Sequence, residues 1–413
     1  MSDTDNPTAG QRVAELRRKR GMSQRDLAAE MGRSESWVSQ VERGIQPIER
    51  LSVLQALADA LGVPVRELRP EAEIAPEPEP EPEQQPQSND LDGLRVALTG
   101  HPTLGSLFGQ ITACPEPSLD DFSQRVDELW DLAHAASYAA LSDRLSKVLP
   151  QLEAAVRHGP EAGRAELQAL LARTYQVAAA SFVRQDEPDA AWVAADRALQ
   201  AAERAGQPLE VVAGLFRLAH AFIRQQRTDQ AEQAAMSAIN VLTPRSQADA
   251  SPPEERSLLG AMHLVMAVIS AREGDRSATH AHIAEARRIA ATNGVDRNDF
   301  DTEFGPTNVE IHAVSTAVDL GDAGMALDVA ERIDPSGLSP ERQARFLVDV
   351  ARAHAQRRHV GEATAALLEA EALAPEQVHS HHLAREVVRD LVQFSGHRVP
   401  EPLAELADRM AIA

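Results

Sequence analysis

Apolar positions in the first seventy residues recur at helical spacing and predict five short helices. Serine is a favoured N-cap, and Ser23 and Ser34 stand where the second and third helices should begin. A tight turn at Gly32 joins these two helices, which is the spacing of a helix-turn-helix. A fourth helix is predicted over 51–61, and a fifth begins at Pro64. The apolar positions of the first three helices are Val13, Leu16, Leu27, Ala28, Met31, Val38 and Val41.

In residues 120–413, small side chains recur in sets with fixed offsets of 12 and then 7 residues. Each set fits two antiparallel helices that cross closely at small side chains, and residues 122–157 predict one further pair before them. Because helices alternate without a strand pattern, a doubly wound α/β domain is excluded. The five sets are Ala179, Ala191 and Ala198; Ala219, Ala231 and Ala238; Ala267, Thr279 and Ala286; Val314, Ala326 and Ile333; and Ala351, Ala363 and Ala370.

A stretch rich in proline and glutamate separates the two helical regions. Residues 71–90 hold seven acidic side chains and no basic one. Proline favours an extended backbone and like charges repel, so this stretch is predicted to be an unpacked, flexible linker. The sequence therefore predicts an all-α protein with a five-helix helix-turn-helix domain over 8–70, the linker over 71–90, and an α-solenoid over 91–413.

Composition and charge narrow the protein class. The chain has 413 residues, a net charge of −22 and 3% aromatic residues, which suits alanine-rich packed helices better than a sandwich or barrel. Cys114 is the single cysteine, which excludes a disulfide framework and a Cys-rich zinc site and favours a reducing compartment. No secretory signal is visible, and the most apolar stretch, 258–271, is too short to cross a bilayer. We therefore expect a cytoplasmic protein without membrane contact.

Residues 12–68 resemble the phage-repressor-like XRE family of helix-turn-helix proteins. The segments MSQRDLAAEMG, WVSQVERG and LADALGV have the order and spacing typical of that family. The resemblance implies a partly buried ion pair between Arg17 and Glu42, and a phosphate contact from Gln24. It also implies that Glu35, Ser36 and Gln40 face base edges. Ser34 and Arg43 would lie near the DNA backbone, and Arg50 could reach the minor groove.

The chemistry of these residues agrees with DNA binding. Val38 and Val41 share one helical face and should pack inward, which turns the proposed base-contacting residues outward. Gln40 suits adenine, and Glu35 can accept a hydrogen bond from cytosine N4. Trp37 could pack against the first helix or touch DNA. Positive charge for phosphates would come from Arg25, Arg33, Arg43 and Arg50. Residues 1–70 carry a net charge of only +1, so a helical module used for protein contacts stays an alternative.

The offsets of small residues in the second region resemble tetratricopeptide repeats, although the repeats are degenerate and longer than the usual unit of about 34 residues. Stacked pairs of this kind form a concave surface lined by the first helix of each pair. Because arginine suits carboxylate and phosphate groups, we expect this groove to bind a short acidic peptide, a peptide carboxylate or a small acid. The alternative is that these arginines pair with carboxylates of neighbouring helices. The predicted groove residues are Arg173, Gln176, Arg184, His220, Arg224, Arg272, Asn308, Ser315, Arg345 and Arg352.

Three further features have a structural and a functional interpretation. Residues 299–308 break the helical pattern, and Phe300 and Phe304 could anchor a lid over the groove or staple the repeats together. The histidines at 379, 381 and 382 are expected at the surface rather than at a metal. No catalytic motif is present, so neither enzymatic activity, a metal nor a cofactor is expected.

The whole chain resembles bacterial regulators that join an XRE domain to a tetratricopeptide-like sensor domain, some of which respond to signalling peptides. This resemblance implies a sequence-specific transcriptional regulator that binds a double-stranded DNA operator. Proteins of this geometry normally bind two half-sites as a dimer, so we expect a homodimer assembled by the second region. The alternative is a scaffold whose repeats bind a protein partner and whose DNA contact serves only for localisation.

Overall fold

The chain divides into two units, residues 1–85 and residues 86–413. The computed structural model describes residues 9–31, 35–43, 57–58, 60–63, 65–68, 91–99, 118–246, 251–396 and 398–412. The predicted linker and Cys114 lie outside the described residues.

The first unit contains the predicted succession of short helices: α1 (Ala9–Lys19), α2 (Gln24–Glu30), α3 (Glu35–Glu42) and α4 (Val65–Leu68). Residues 57, 58 and 60 are also helical, within the predicted fourth helix. Ser23 caps α2 as predicted, because its hydroxyl accepts from the amide of Asp26 at 3.1 Å while the Asp26 carboxylate accepts from the Ser23 amide at 2.8 Å. The predicted cap at Ser34 lies outside the described residues. The core consists of Val13, Leu27, Ala28, Val38, Leu57, Ala58, Leu61 and Leu68.

The second unit consists of helices that pack in antiparallel pairs. Its described helices are α5 (Leu91–Thr99), α6 (Leu119–His134), α7 (Tyr138–His158), α8 (Arg164–Arg184), α9 (Pro188–Ala205), α10 (Pro208–Arg224), α11 (Thr228–Ser246), α12 (Pro253–Arg272), α13 (Arg276–Asn293), α14 (Pro306–Asp319), α15 (Ala323–Ala330), α16 (Pro340–Gln356), α17 (Val360–Leu373), α18 (Pro375–Ser380), α19 (His382–Ser395) and α20 (Glu401–Arg409). None of these helices is long and apolar enough to span a membrane.

The five predicted sets of small residues lie at the helix crossings. In each set the first member lies on the first helix of a pair, and the second lies on the partner helix. Fourteen of the fifteen side chains are at most 1% exposed, because these small side chains let two helix backbones approach closely. The exception is Ile333, which was predicted on a helix but lies beyond the end of α15 at Ala330. The additional pair predicted over 122–157 is formed by α6 and α7.

The first helices of the pairs contact one another in sequence, from α8 through α10, α12 and α14 to α16. This is the stacking of an α-solenoid, and it confirms the predicted all-α repeat architecture. Proline at the first helical position starts several of these helices, where its missing amide hydrogen would have no partner.

The first and last pairs of this solenoid also contact each other. Apolar residues of α6–α9 and of α16–α20 belong to one continuous core. Polar contacts join the same elements: the Ala139 amide donates to Glu376 at 2.9 Å, and Arg184 donates to Glu341 at 3.0 Å. The unit is therefore closed on itself, and the faces of the first helices are turned towards an enclosed space.

Candidate functional sites

The third helix of the first unit is held by its apolar face and by one ion pair. Val38 and Val41 are at most 1% exposed, as predicted. The Arg17 guanidinium donates to both carboxylate oxygens of Glu42, at 2.5 and 2.9 Å, and also to the Met22 carbonyl at 2.7 Å. Burial acts to raise the pKa of Glu42, but the hydrogen bonds from Arg17 and Gln24 outweigh it and keep that pKa below its ordinary value. The predicted pair thus fixes α1 to α3.

Three of the side chains predicted to contact DNA lie within the described residues, those of Gln24, Arg25 and Arg43, and Arg25 is exposed on α2. The Gln24 amide nitrogen donates to Glu42 at 2.7 Å, and since this nitrogen carries two hydrogens it can also donate to a phosphate. Arg43 is exposed just after α3, and its Nε donates to the Ser39 carbonyl at 3.2 Å. Arg33, Ser34 and Arg50 lie outside the described residues, as do the side chains of Glu35, Ser36, Trp37 and Gln40.

The second unit encloses a cavity of about 130 Å³. It is lined by the first helices of successive pairs, α8, α10, α12, α14 and α16, together with residues next to and within α19. Most of the predicted groove residues meet there: Arg184, His220, Arg224, Arg272, Asn308, Ser315, Arg345 and Arg352. The concave positions that the tetratricopeptide resemblance implies therefore lie mostly on the faces that meet there.

Two predicted groove residues do not line the cavity. Arg173 instead pairs with Asp127 on α6 at 3.0 Å. Gln176 donates to the Glu210 carboxylate on α10 at 2.8 Å. Both contact carboxylates of neighbouring helices, and for Arg173 this is the pairing that was the alternative for the groove arginines.

Several cavity arginines are likewise paired with carboxylates. Arg184 pairs with Glu341 at 2.7 Å, and Arg224 pairs with Asp186 at 2.6 Å. Arg352 contacts two carboxylates, Asp319 at 2.6 Å and Asp349 at 2.8 Å. For these three arginines the pairing alternative is correct. By contrast, Arg272 has no carboxylate within 4.0 Å among the described residues and donates to the Ile223 carbonyl at 3.0 Å.

Arg217 and Arg342 also line the cavity, although neither was predicted from the sequence. Arg217 lies three residues before His220 and seven before Arg224, so the period of α10 could have identified it. Its guanidinium lies 4.9 Å from the ring centroid of Trp130 and donates to the carbonyls of Phe300 and Asp301 at 3.1 and 2.8 Å. Burial and the nearby charge of Arg184 lower the pKa of Arg217 to about 9. This cation therefore lies in a site where positive charge is not fully neutralised.

Three histidines stand among these arginines. Burial, then the charge of Arg345, lowers the pKa of His220 well below its ordinary value. Burial and Arg342 lower the pKa of His312 to about 3. His381 was expected at the surface, but it lines the cavity because the chain between α18 and α19 turns inward. Burial and Arg345 lower its pKa well below the ordinary value too. All three imidazoles are thus neutral near pH 7.

The segment after α13 acts as a staple rather than as a lid. Phe304 is fully buried in the core that α10–α13 share, and Phe300 packs against the same core. The Arg297 amide donates to the Phe304 carbonyl at 3.0 Å, and the Thr307 amide donates to Asp296 at 3.0 Å. Both aromatic side chains therefore hold the repeats together.

The part of the chain that the structure describes contains no group of three or more side chains arranged to hold a metal ion.

Comparison with known proteins gives one family match and one structural match. The chain has 13% sequence identity to the crystal structure of Bacillus thuringiensis PlcR in complex with the peptide PapR7 and DNA, over 70% of this chain and 95% of that chain. The TM-score is 0.29, which is too low for any argument about this chain. No curated protein matches the sequence. A family model described as a helix-turn-helix domain matches residues 8–72, so the first unit is a helix-turn-helix domain.

Proposed function

We propose that this protein is a dimeric, DNA-binding transcriptional regulator whose solenoid binds an anionic ligand in its arginine-lined cavity. The observation that carries the proposal is the presence, in one chain, of a helix-turn-helix domain and a cavity rich in guanidinium groups. A helix-turn-helix binds DNA through its second helix, and a ligand that favours one arrangement of the protein shifts the population of the DNA-binding form.

The geometry of the first unit supports α3 as the recognition helix. Val38 and Val41 point into the core, so helical spacing assigns positions 36 and 40 to the opposite face. The ion pair of Arg17 with Glu42 fixes the orientation of α3 against α1. Arg43 extends the same opposite face and carries the positive charge that phosphate contact requires.

The DNA-binding proposal is tested by replacing side chains of this face in the full chain. In electrophoretic shift with fragments recovered by footprinting, Gln40→Ala combined with Arg43→Ala should weaken binding by about tenfold or more, since one base contact and one phosphate contact are lost. Arg288→Ala is the matched control, because it removes one exposed charge from α13 that is paired with Glu285. Equal binding by the double variant and the control would contradict the proposal.

A scaffold with incidental DNA contact is the alternative. It predicts that the protein shifts every DNA duplex to a similar extent, and that the double variant still binds its protein partner.

Dimerisation is tested separately by sedimentation of the full chain, which as a dimer should have twice the monomer mass of 44.7 kDa. A monomer at concentrations that saturate DNA would remove the dimer from the proposal.

A further inference from the structure

Four guanidinium groups meet at one end of the cavity, those of Arg184, Arg217, Arg342 and Arg345. Arg184 pairs with Glu341 at 2.7 Å, and Arg342 lies 3.5 Å from Glu303. The carboxylates of Asp301 and Glu210 also face Arg217, and that of Asp349 faces Arg345. These guanidinium groups therefore differ in how closely a carboxylate pairs with them.

In the described part of the chain, Arg345 has no close carboxylate partner. Its nearest carboxylate oxygen belongs to Glu341 at 3.8 Å, and that carboxylate already forms two shorter contacts with Arg184. The Arg345 side chain is 37% exposed, so its donors are accessible in the cavity. Within the described residues no hydrogen bond involves this guanidinium, whereas a carboxylate accepts two parallel bonds from such a group.

Two neutral imidazoles lie near the Arg345 guanidinium. His220 and His381 both line the cavity and lie close enough to Arg345 for its charge to lower their pKa values. Within the described residues, two buried nitrogens of the cavity lining, His381 Nδ1 and Arg217 Nε, have no hydrogen-bond partner. Buried polar atoms normally have partners, so these nitrogens are suited to a bound polar group.

The guanidinium groups at the other end of the cavity already have partners. Arg224 pairs with Asp186 and Arg352 pairs with Asp319, both at 2.6 Å, and Arg272 donates to the Ile223 carbonyl. Arg217 and Arg224 are seven residues apart on α10, as are Arg345 and Arg352 on α16, so the two ends are about 10 Å apart along the helices. A second anionic group would therefore meet donors that are already paired.

Aliphatic side chains form the walls between the two ends. Helix α12 contributes an unbroken face with the spacing of one helical stripe, and α14 and α16 face it. The aliphatic lining residues of these three helices are Ala261, Leu264, Val265, Val268, Ile311 and Val348.

From these observations we infer that the cavity binds an amphipathic carboxylate, an apolar chain about 10 Å long that ends in a single carboxylate held by Arg345, His220 and His381. The inference rests on the proposed function, since it specifies the ligand of the proposed sensor. Two sources share this chemistry: a medium-chain fatty acid, and the free C-terminus of a short apolar peptide.

Calorimetry on the full chain without DNA tests the inference. The probes are decanoate and acetyl-valyl-leucyl-valine, each compared with its amide, together with sebacate and inorganic phosphate. Binding of either carboxylate should weaken about tenfold or more on amidation, because the charged acceptor is lost. The probe that binds more tightly identifies the source. Sebacate should bind more weakly than decanoate, because Arg224 and Arg352 at the other end already pair with carboxylates. Phosphate should also bind more weakly, because it makes no use of the apolar walls.

Two variants complete the test. Arg345→Gln should weaken binding of the carboxylate about tenfold or more, with Arg288→Gln as the control. Val268→Phe narrows the apolar part and should weaken binding of the acid and the amide alike, so it still tests the site if Arg345→Gln fails to fold. The inference is overturned if neither carboxylate binds, if amidation has no effect, or if phosphate competes equally. A chain that binds decanoate but no DNA would refute the regulator and leave the ligand class standing.

Discussion

Buried charged side chains differ in how completely their partners neutralise them. Glu42 has a side chain that is 5% exposed and accepts hydrogen bonds from Arg17 and Gln24, so a local network satisfies its charge. Arg217 is just as buried, but its hydrogen bonds go to two backbone carbonyls. Removing Glu42 from its pair would leave Arg17 as an uncompensated buried charge. The charge of Arg217, by contrast, is incompletely neutralised, and a ligand can interact with it.

Replacing Glu42 tests the first of these situations. Glu42→Gln should destabilise the helix-turn-helix unit by about 2 kcal/mol, because Arg17 keeps its charge and loses its counterion. Hydrogen exchange of the full chain should show faster exchange of the amides in α1 and α3, with the solenoid unchanged. The control is Glu15→Gln, which breaks the exposed pair with Lys19 and should change stability by less than about 0.5 kcal/mol. Equal effects of the two variants would contradict this account.

Single helices of the solenoid are shaped by what packs against them. Gly260 lies inside α12, and a Cβ there would come within 2.0 Å of the Phe304 ring. The glycine therefore accommodates the aromatic side chain that fixes the segment between α13 and α14. In the same segment Phe300, Asp301 and Glu303 have positive φ angles, a conformation that non-glycine residues adopt only when their surroundings hold it.

Gly260→Ala should destabilise the solenoid by about 1–2 kcal/mol, although alanine is the better helix former, because overpacking outweighs helix propensity. Thermal unfolding of the full chain followed by circular dichroism measures this change. Gly361→Ala is the control, since a Cβ at that exposed position of α17 meets nothing within 4 Å and should be neutral or slightly stabilising. In the double variant that combines Gly260→Ala with Phe304→Leu, the loss of stability should be smaller than the sum of the losses in the two single variants. A loss equal to that sum would exclude the proposed clash.

The solenoid as a whole is closed by contacts between its two ends. Glu341 at the start of α16 is 0% exposed and accepts from Arg184 at the end of α8 and from Gln377 in α18, at 3.0 and 3.2 Å. Burial acts to raise the pKa of Glu341, but Arg184, Arg345 and Arg342 lower it well below the ordinary value of 4.5. The same carboxylate thus joins the ends of the unit and limits the free charge in the cavity.

Glu341→Gln should destabilise the solenoid by about 3 kcal/mol at pH 7, since Arg184 would remain buried without a counterion. Because the folded pKa is lowered, the stabilisation is fully present above about pH 4.5 and is lost as pH falls through the folded value. In denaturant unfolding, the difference between wild type and variant should therefore stay constant from pH 7 to pH 5 and narrow in more acidic solution. Glu310→Gln is the control, since its pair with Arg287 is largely exposed. A difference that is independent of pH down to acid unfolding would contradict this role.

Local patterns in the sequence determined the elements of this protein. Helical periodicity located the two successions of helices, Ser23 marked the start of α2, and the offsets of small residues identified which helices cross. These features depend on neighbours within one or two helical turns, so the sequence contains them directly. The faces that line the cavity were predicted from the resemblance to tetratricopeptide repeats, and eight of the ten predicted groove residues, Ser315 among them, meet there.

Only the tertiary structure decided how the cavity arginines are neutralised. Arg184 and its partner Glu341 are 157 positions apart, and no local pattern relates them. The closure of the solenoid brings His381 inside and leaves Arg345 without a close partner of its own. Charge pairing depends on which surfaces meet after folding, and periodicity within one helix cannot determine contacts between distant ones.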